Sequence, residues 1–191
     1  MKPITVDRRD LTIKAKKLRR SGIVPGNVFG GPFSEPVSIQ MEEATANQLF
    51  RNKREGSKLK LDLEGRLISV QIKEKVVNTL NHEILHMSFQ ALKDDQKVNS
   101  VIHILLQNAE KVTDSLEKMV MEIPYASLPE DMIDTITIDV EGMASRSVVT
   151  VGDIPELKSE RIELQIAEDE IVFRLNDKKR GSAPDAKPDA E

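Results

Sequence analysis

The chain lacks cysteine and tryptophan, and it has one tyrosine and five phenylalanines among 191 residues. Without cysteine there are no disulfides, no thiolate nucleophile and no cysteine-ligated zinc or iron–sulfur centre. The scarcity of aromatics argues against a platform that stacks single-stranded bases, because such platforms use several exposed rings. Long apolar runs are missing too. The longest, such as Ile104-Leu105-Leu106, fall far short of the roughly 18 residues a membrane helix needs. The N-terminus MKPITVDRRD has no apolar core of a secretory signal, so the expected location is cytoplasmic, with no membrane partner. Phosphate-binding loops of the GxxxxGK[ST] and GxGxxG types, the GxSxG elbow and the HExxH zinc motif are absent as well. No catalytic constellation assembles, so the chain reads as a non-enzyme with no cofactor, no metal and no small-molecule substrate.

What is present is an uneven charge. The formal net charge is −4, which taken alone points away from nucleic acid. Residues 1–92, however, hold 16 Lys+Arg against 10 Asp+Glu, while residues 93–191 hold 12 against 22. The first twenty residues alone carry eight basic and two acidic side chains. Such asymmetry is a recognised sign of nucleic-acid contact by the basic end. Lys14, Lys16, Lys17, Arg19 and Arg20 form its centre, with further basic residues at 8, 9, 51, 53, 54, 58 and 60. Lysine and arginine neutralise phosphates and release counterions, and arginine adds planar paired donors. Structured RNA, read by shape, backbone and 2′-hydroxyl contacts, suits this inventory better than single strands.

Hydrophobic periodicity predicts a mainly β protein with minor α content. Residues 12–21 predict at most a short helix. Turns rich in glycine and proline flank a short strand at Val28-Phe29, and residues 36–41 alternate as a second strand. Residues 42–52 place Ala46, Leu49 and Phe50 at helical spacing. Leu59, Leu61 and Leu63, the turn Glu64-Gly65, and Ile68, Val70 and Ile72 predict a β-hairpin with one buried face. Residues 84–92 predict another strand. The polar stretch 93–97 reads as a joint between a first domain, 1–92, and a β-rich second domain, 98–176. Strands are expected there at 98–106, 116–123, 133–140, 148–151, 161–166 and 171–175, separated by Pro124, Pro129, Gly142, Gly152 and Pro155. Residues 177–191 have the composition of a disordered tail.

His82 and His86 stand four apart, but a strand would separate them by about 13 Å, so a shared metal is disfavoured. His103, between Ile102 and Ile104, reads as a satisfied strand residue.

The segment KLRRSGIVPGNVFG, residues 17–30, resembles the LR-x-x-G-x-I-P-G-V-V-Y-G signature of the bacterial ribosomal protein family that binds 5S rRNA. Its longer, two-domain form is called general stress protein CTC. His86-Met87-Ser88-Phe89 is similar to the family's H-x-D-F strand. Leu128 to Ile133, Ile138 to Met143 and Val151 to Ile154 resemble segments of the two-domain members in the same order. The resemblance implies a small closed β-barrel with one or two helices for residues 1–92, followed by a β-rich domain. It also implies docking on the distorted loop E of 5S rRNA, within the large ribosomal subunit and beside neighbouring ribosomal proteins. Arg19 and Arg20 would hold phosphates, and either Arg8 or Arg9 matches the family's early arginine. Phe29 stands where the family has tyrosine, His86 would aim a ring nitrogen at the RNA, and Ser88 stands where the family has aspartate. A glycine-rich loop common in the family has no counterpart at 107–119. A paralogue that kept the fold, lost RNA binding and acts through protein contacts is the alternative.

Overall fold

The computed structural model describes residues 3–112 and 114–176, so the predicted tail lies outside the described residues. The chain order is β1 (Ile4–Arg8), α1 (Ala15–Arg20), β2 (Ile23–Phe29), β3 (Val37–Glu42), α2 (Glu43–Asn52), β4 (Lys58–Leu63), β5 (Arg66–Val77) and β6 (Ile84–Ala91). These six strands close into a barrel in the order β1-β3-β2-β6-β5-β4. Parallel pairing of Ile4 with Leu61 and of Val6 with Leu63 makes the closure.

The predicted hairpin is β4–β5. Its turn residues Glu64 and Gly65 both have positive φ, 55° and 82°, as a two-residue turn matched to strand twist requires. Asp62 Oδ1 accepts from the Gly65 N–H at 2.9 Å. Leu59, Leu61, Leu63, Ile68, Val70 and Ile72 all turn inward and meet Val24, Val28, Ile39, Met41, Met87 and Phe89 in one core. Ala46 and Leu49 of α2 join the same core.

β2 is longer than the sequence suggested, running back from Val28 through Gly26 and Pro25 to Ile23. Pro25 is tolerated because β6 pairs with β2 only from Gly26 onward, leaving the proline with one neighbour. Gly26 is needed for close approach, since a Cβ there would stand 2.6 Å from the Met87 carbonyl oxygen. Punctuating residues thus sit inside a strand here.

Beyond the barrel come β7 (Val98–Gln107), β8 (Ser115–Lys118), β9 (Glu122–Ser127), β10 (Thr135–Asp139), β11 (Val148–Thr150), β12 (Ile162–Leu164) and β13 (Ile171–Asn176). They form a four-stranded sheet, β10-β7-β9-β12, and a three-stranded sheet, β11-β13-β8. The single strand expected over 116–123 is in fact two strands in different sheets. Met119 and Val120 both donate to the Val172 carbonyl, which turns the chain between them. Pro124, expected as a separator, lies within β9 opposite Val101, where paired residues of β12 have ended. Ile102, Ile104, Ile123, Tyr125, Val172 and Phe173 centre the second core. The Tyr125 hydroxyl donates to the Ile133 carbonyl and accepts from the Ile133 N–H, at 3.0 and 2.9 Å.

The two cores meet at a polar seam. Ser100 Oγ donates to the Gly56 carbonyl, and the His103 Nε2 lies 2.8 Å from the Glu55 carbonyl. Lys58 Nζ donates to the Pro129 carbonyl at 2.7 Å.

Candidate RNA-binding interface

α1 is an odd helix in isolation. It has six residues, one buried side chain (Leu18), no acidic residue in its first turn and no side-chain cap at Lys14. Lys17, Arg19 and Arg20 in its last turn complement the helix dipole, but Lys14 and Lys16 at the positive end do not. The helix is ended by Gly22 in the left-handed region, φ 74°, whose N–H returns to the Arg19 carbonyl.

Arg19 is committed to the protein. Its Nε donates to Glu83 Oε1 at 2.9 Å and its Nη1 to the Leu85 carbonyl at 3.4 Å, fastening α1 to the start of β6. Lys14, Lys16, Lys17 and Arg20 are exposed and have no acidic partner among the described residues. Four cations without acidic partners, three on α1 and one at its N-cap, are a ready site for an external polyanion. Several other basic residues noted in the sequence are spent internally. Lys58 holds the Pro129 carbonyl, Lys53 lies 3.9 Å from Asp134, and Arg8 pairs with Glu64.

The barrel wall beside α1 continues the surface. In β2, Val24, Gly26 and Val28 face inward, so Pro25, Asn27 and Phe29 face out. In β6, Met87, Phe89 and Ala91 face inward, so His86, Ser88 and Gln90 face out. The register sets Asn27 beside both Ser38 and Ser88, and Ser88 beside Glu74 of β5. Arg9 completes this row, its N–H donating to the Ser38 carbonyl.

Arg8 and Arg9 have different surroundings. Arg8 shares the face of the inward Val6 and ends at the β4–β5 turn on Glu64. Arg9 lies on the outer side, close enough to His86 to act on its charge. Its Nη2 donates to the Ile13 carbonyl at 3.3 Å, and its buried Nε has no acceptor within the protein.

Phe29 is half-buried and outside the barrel core. Ser88 is 8% exposed. His86 is half-buried, with its Nε2 3.3 Å from Asn27 Oδ1. Burial holds its pKa below the usual 6.5. The carboxylate of Glu74 opposes that shift and the guanidinium of Arg9 adds to it. The imidazole is therefore neutral at pH 7.

Sequence reasoning passed over Asn27 and Glu74. Glu74 is exposed and sits across the strand from Ser88. It places a carboxylate-bearing residue opposite Ser88. A register shift between Ile72 and Glu74 hid this neighbour, since simple alternation along β5 cannot locate a bulge. His82, by contrast, sits in a turn at φ 56°, away from strand geometry. Among the described residues no group of three His, Asp or Glu side chains converges as a metal site.

The fold and surface define a class: a small closed β-barrel bearing a basic helix, extended by a β-rich second half. The Ribosomal L25p family model matches residues 4–89, the span from β1 into β6. The large ribosomal subunit protein bL25 of Akkermansia muciniphila is 28% identical over 180 residues, covering 92% of this chain and 88% of its own length. Those of Bacillus velezensis and Nitrosomonas europaea are 26% and 25% identical, covering 73% and 78% of this chain and 70% and 77% of their own lengths. Over residues 4–89 the chain is thus similar to the Ribosomal L25p family, and over most of its length to large ribosomal subunit proteins bL25. The relatives it matches are proteins of the large ribosomal subunit.

Proposed function

We propose that this chain is a cytoplasmic protein of the large ribosomal subunit that binds 5S rRNA at loop E. In this reading it is the two-domain form known as general stress protein CTC. The observation that carries the reading is the set of four cations without acidic partners on α1 and at its N-cap, set against the outer barrel row of Arg9, Asn27, His86, Ser88 and Glu74. Cations supply salt-sensitive affinity for phosphates. The row supplies short polar donors and acceptors, suited to base edges and 2′-hydroxyls in a widened minor groove. Lys14, Lys16, Lys17 and Arg20 bind phosphates, whereas Arg19 positions the helix that carries them. Phe29 gives the sugar edge an apolar contact. The carboxylate of Glu74 supports this reading over a paralogue that has lost the RNA site, because it keeps an anionic acceptor beside Ser88.

In the same reading residues 1–92 carry the RNA contact and 93–97 join them to residues 98–176. The excess of acidic side chains beyond residue 92 makes direct phosphate contact unfavourable there, so the second half faces neighbouring ribosomal proteins. Co-sedimentation tests the assignment. Tagged full-length chain is expected in the large-subunit fraction and on isolated 5S rRNA. Absence from both at low salt overturns it.

A further inference from the structure

We propose that Asn27 is a positioning residue for this surface: its amide oxygen holds the His86 ring through Nε2, so that Nδ1 is the atom His86 offers the RNA. The inference rests on the RNA-binding reading above.

Asparagine is disfavoured inside strands, yet Asn27 sits in β2 with hydrogen-bonded neighbours on both sides, Ser38 and Ser88. A polar side chain in that position calls for a partner that uses it. Parallel pairing places Gly26 beside Met87 and Asn27 beside Ser88, so His86 is the diagonal neighbour of Asn27 on the outer face. The Nε2 to Oδ1 distance is 3.3 Å. An amide oxygen only accepts, and a neutral imidazole has one N–H, so Nε2 carries the proton and Nδ1 carries the lone pair. Nδ1 has no partner among the described residues, and it is not among the buried unpartnered atoms, which are Arg9 Nε, Gln40 Oε1 and Gln71 Oε1. It is therefore open to solvent. An acceptor fixed there suits a 2′-hydroxyl or a guanine amino group, the donors a minor groove displays.

The test pairs a spectroscopic readout with an affinity. In full-length, nitrogen-labelled protein above pH 6.5, long-range proton–nitrogen correlation is expected to show His86 protonated at Nε2, with the N–H proton visible through slowed exchange. Asn27→Leu, of similar size but without an acceptor, is expected to lose that visible proton and to bind a loop E RNA hairpin roughly two- to tenfold more weakly. Asn27→Asp keeps an acceptor and is expected to retain the Nε2–H signal. An intact backbone amide spectrum in both variants shows that they are folded. The inference is overturned if Nδ1 carries the proton in the wild type, or if Asn27→Leu leaves the signal unchanged. Unchanged affinity of Asn27→Leu for an RNA that the wild type binds overturns it equally. A wild type with the expected signal but no binding at low salt defeats the RNA reading itself, which separates the two failures.

Discussion

Replacing Gly56 by alanine tests the seam between the barrel and the second half, and Gly65 supplies its control. Both glycines have φ 82°. An added Cβ at Gly65 meets nothing within 4 Å, whereas at Gly56 it stands 2.6 Å from Ser100 Oγ and 2.8 Å from the Val101 carbonyl oxygen. A left-handed conformation costs a residue with a Cβ about 1–2 kcal/mol. Restriction of the unfolded chain returns about 0.4–1 kcal/mol of that. Gly65→Ala should therefore lose at most about 1.6 kcal/mol. Gly56→Ala bears the same backbone cost and also forces β7 away, for which overpacking costs of about 1–3 kcal/mol are usual. Its loss should exceed that of Gly65→Ala by about 1–3 kcal/mol. The chain has no tryptophan, so urea unfolding is best followed by far-ultraviolet circular dichroism, with the two midpoints compared at equal slope. If both variants unfold within about 0.5 kcal/mol of each other, the close approach of Gly56 to Ser100 and Val101 is wrong.

Three further outcomes are expected. Replacing Lys14, Lys16, Lys17 and Arg20 together by alanine should lower the slope of log affinity against log salt for loop E RNA by about 3, at roughly 0.7–0.9 per phosphate contact; an unchanged slope removes α1 from the interface. Arg19→Ala and Glu83→Ala should each destabilise the fold by about 1 kcal/mol, with the double variant little worse than either, since Arg19 and Glu83 form one partly exposed pair; additive losses in thermal unfolding contradict the staple. His86 should titrate below 6.5 in a proton NMR titration, because burial and Arg9 outweigh Glu74. Its unfolded form then binds more protons just below pH 6.5, so its contribution to stability is present above that pH and falls as pH drops toward the lowered value. A midpoint above 6.5 reverses the sign.

The hairpin and the barrel core were legible because Leu59 to Ile72 alternate cleanly, and Glu64-Gly65 can adopt the turn the strands need. β2 was read short because Pro25 and Gly26 are punctuation in most contexts. Only the stagger of β3 and β6 along β2 shows why they are tolerated in a strand. The division of β8 from β9 was invisible for a related reason, since apolar residues run through both and the turn depends on Val172, far along the chain.

The candidate surface was partly legible. A cluster such as Lys14 to Arg20 is visible in any sequence, but its partners are not. That Arg19 is tied to Glu83 while Arg20 is exposed depends on a contact 64 residues away. Arg8 ends β1 and Arg9 follows it, and their different partners, Glu64 for the one and the Ile13 carbonyl for the other, are set by the fold. Asn27 and Glu74 needed the cross-strand register, including the irregularity in β5 that brings Glu74 opposite Ser88.

In the proposed function this outer face recognises a distorted RNA minor groove, using cations for affinity and the Asn27–His86–Ser88–Glu74 row for shape. The most direct test compares equilibrium binding of the full-length chain to a loop E hairpin and to a regular Watson–Crick hairpin of equal length at the same salt. Equal length fixes the phosphate charge, so a preference for loop E of tenfold or more is expected from the row alone, at about 1.4 kcal/mol per factor of ten. Equal affinity for the two RNAs would reduce the surface to a non-specific cationic patch and contradict the account.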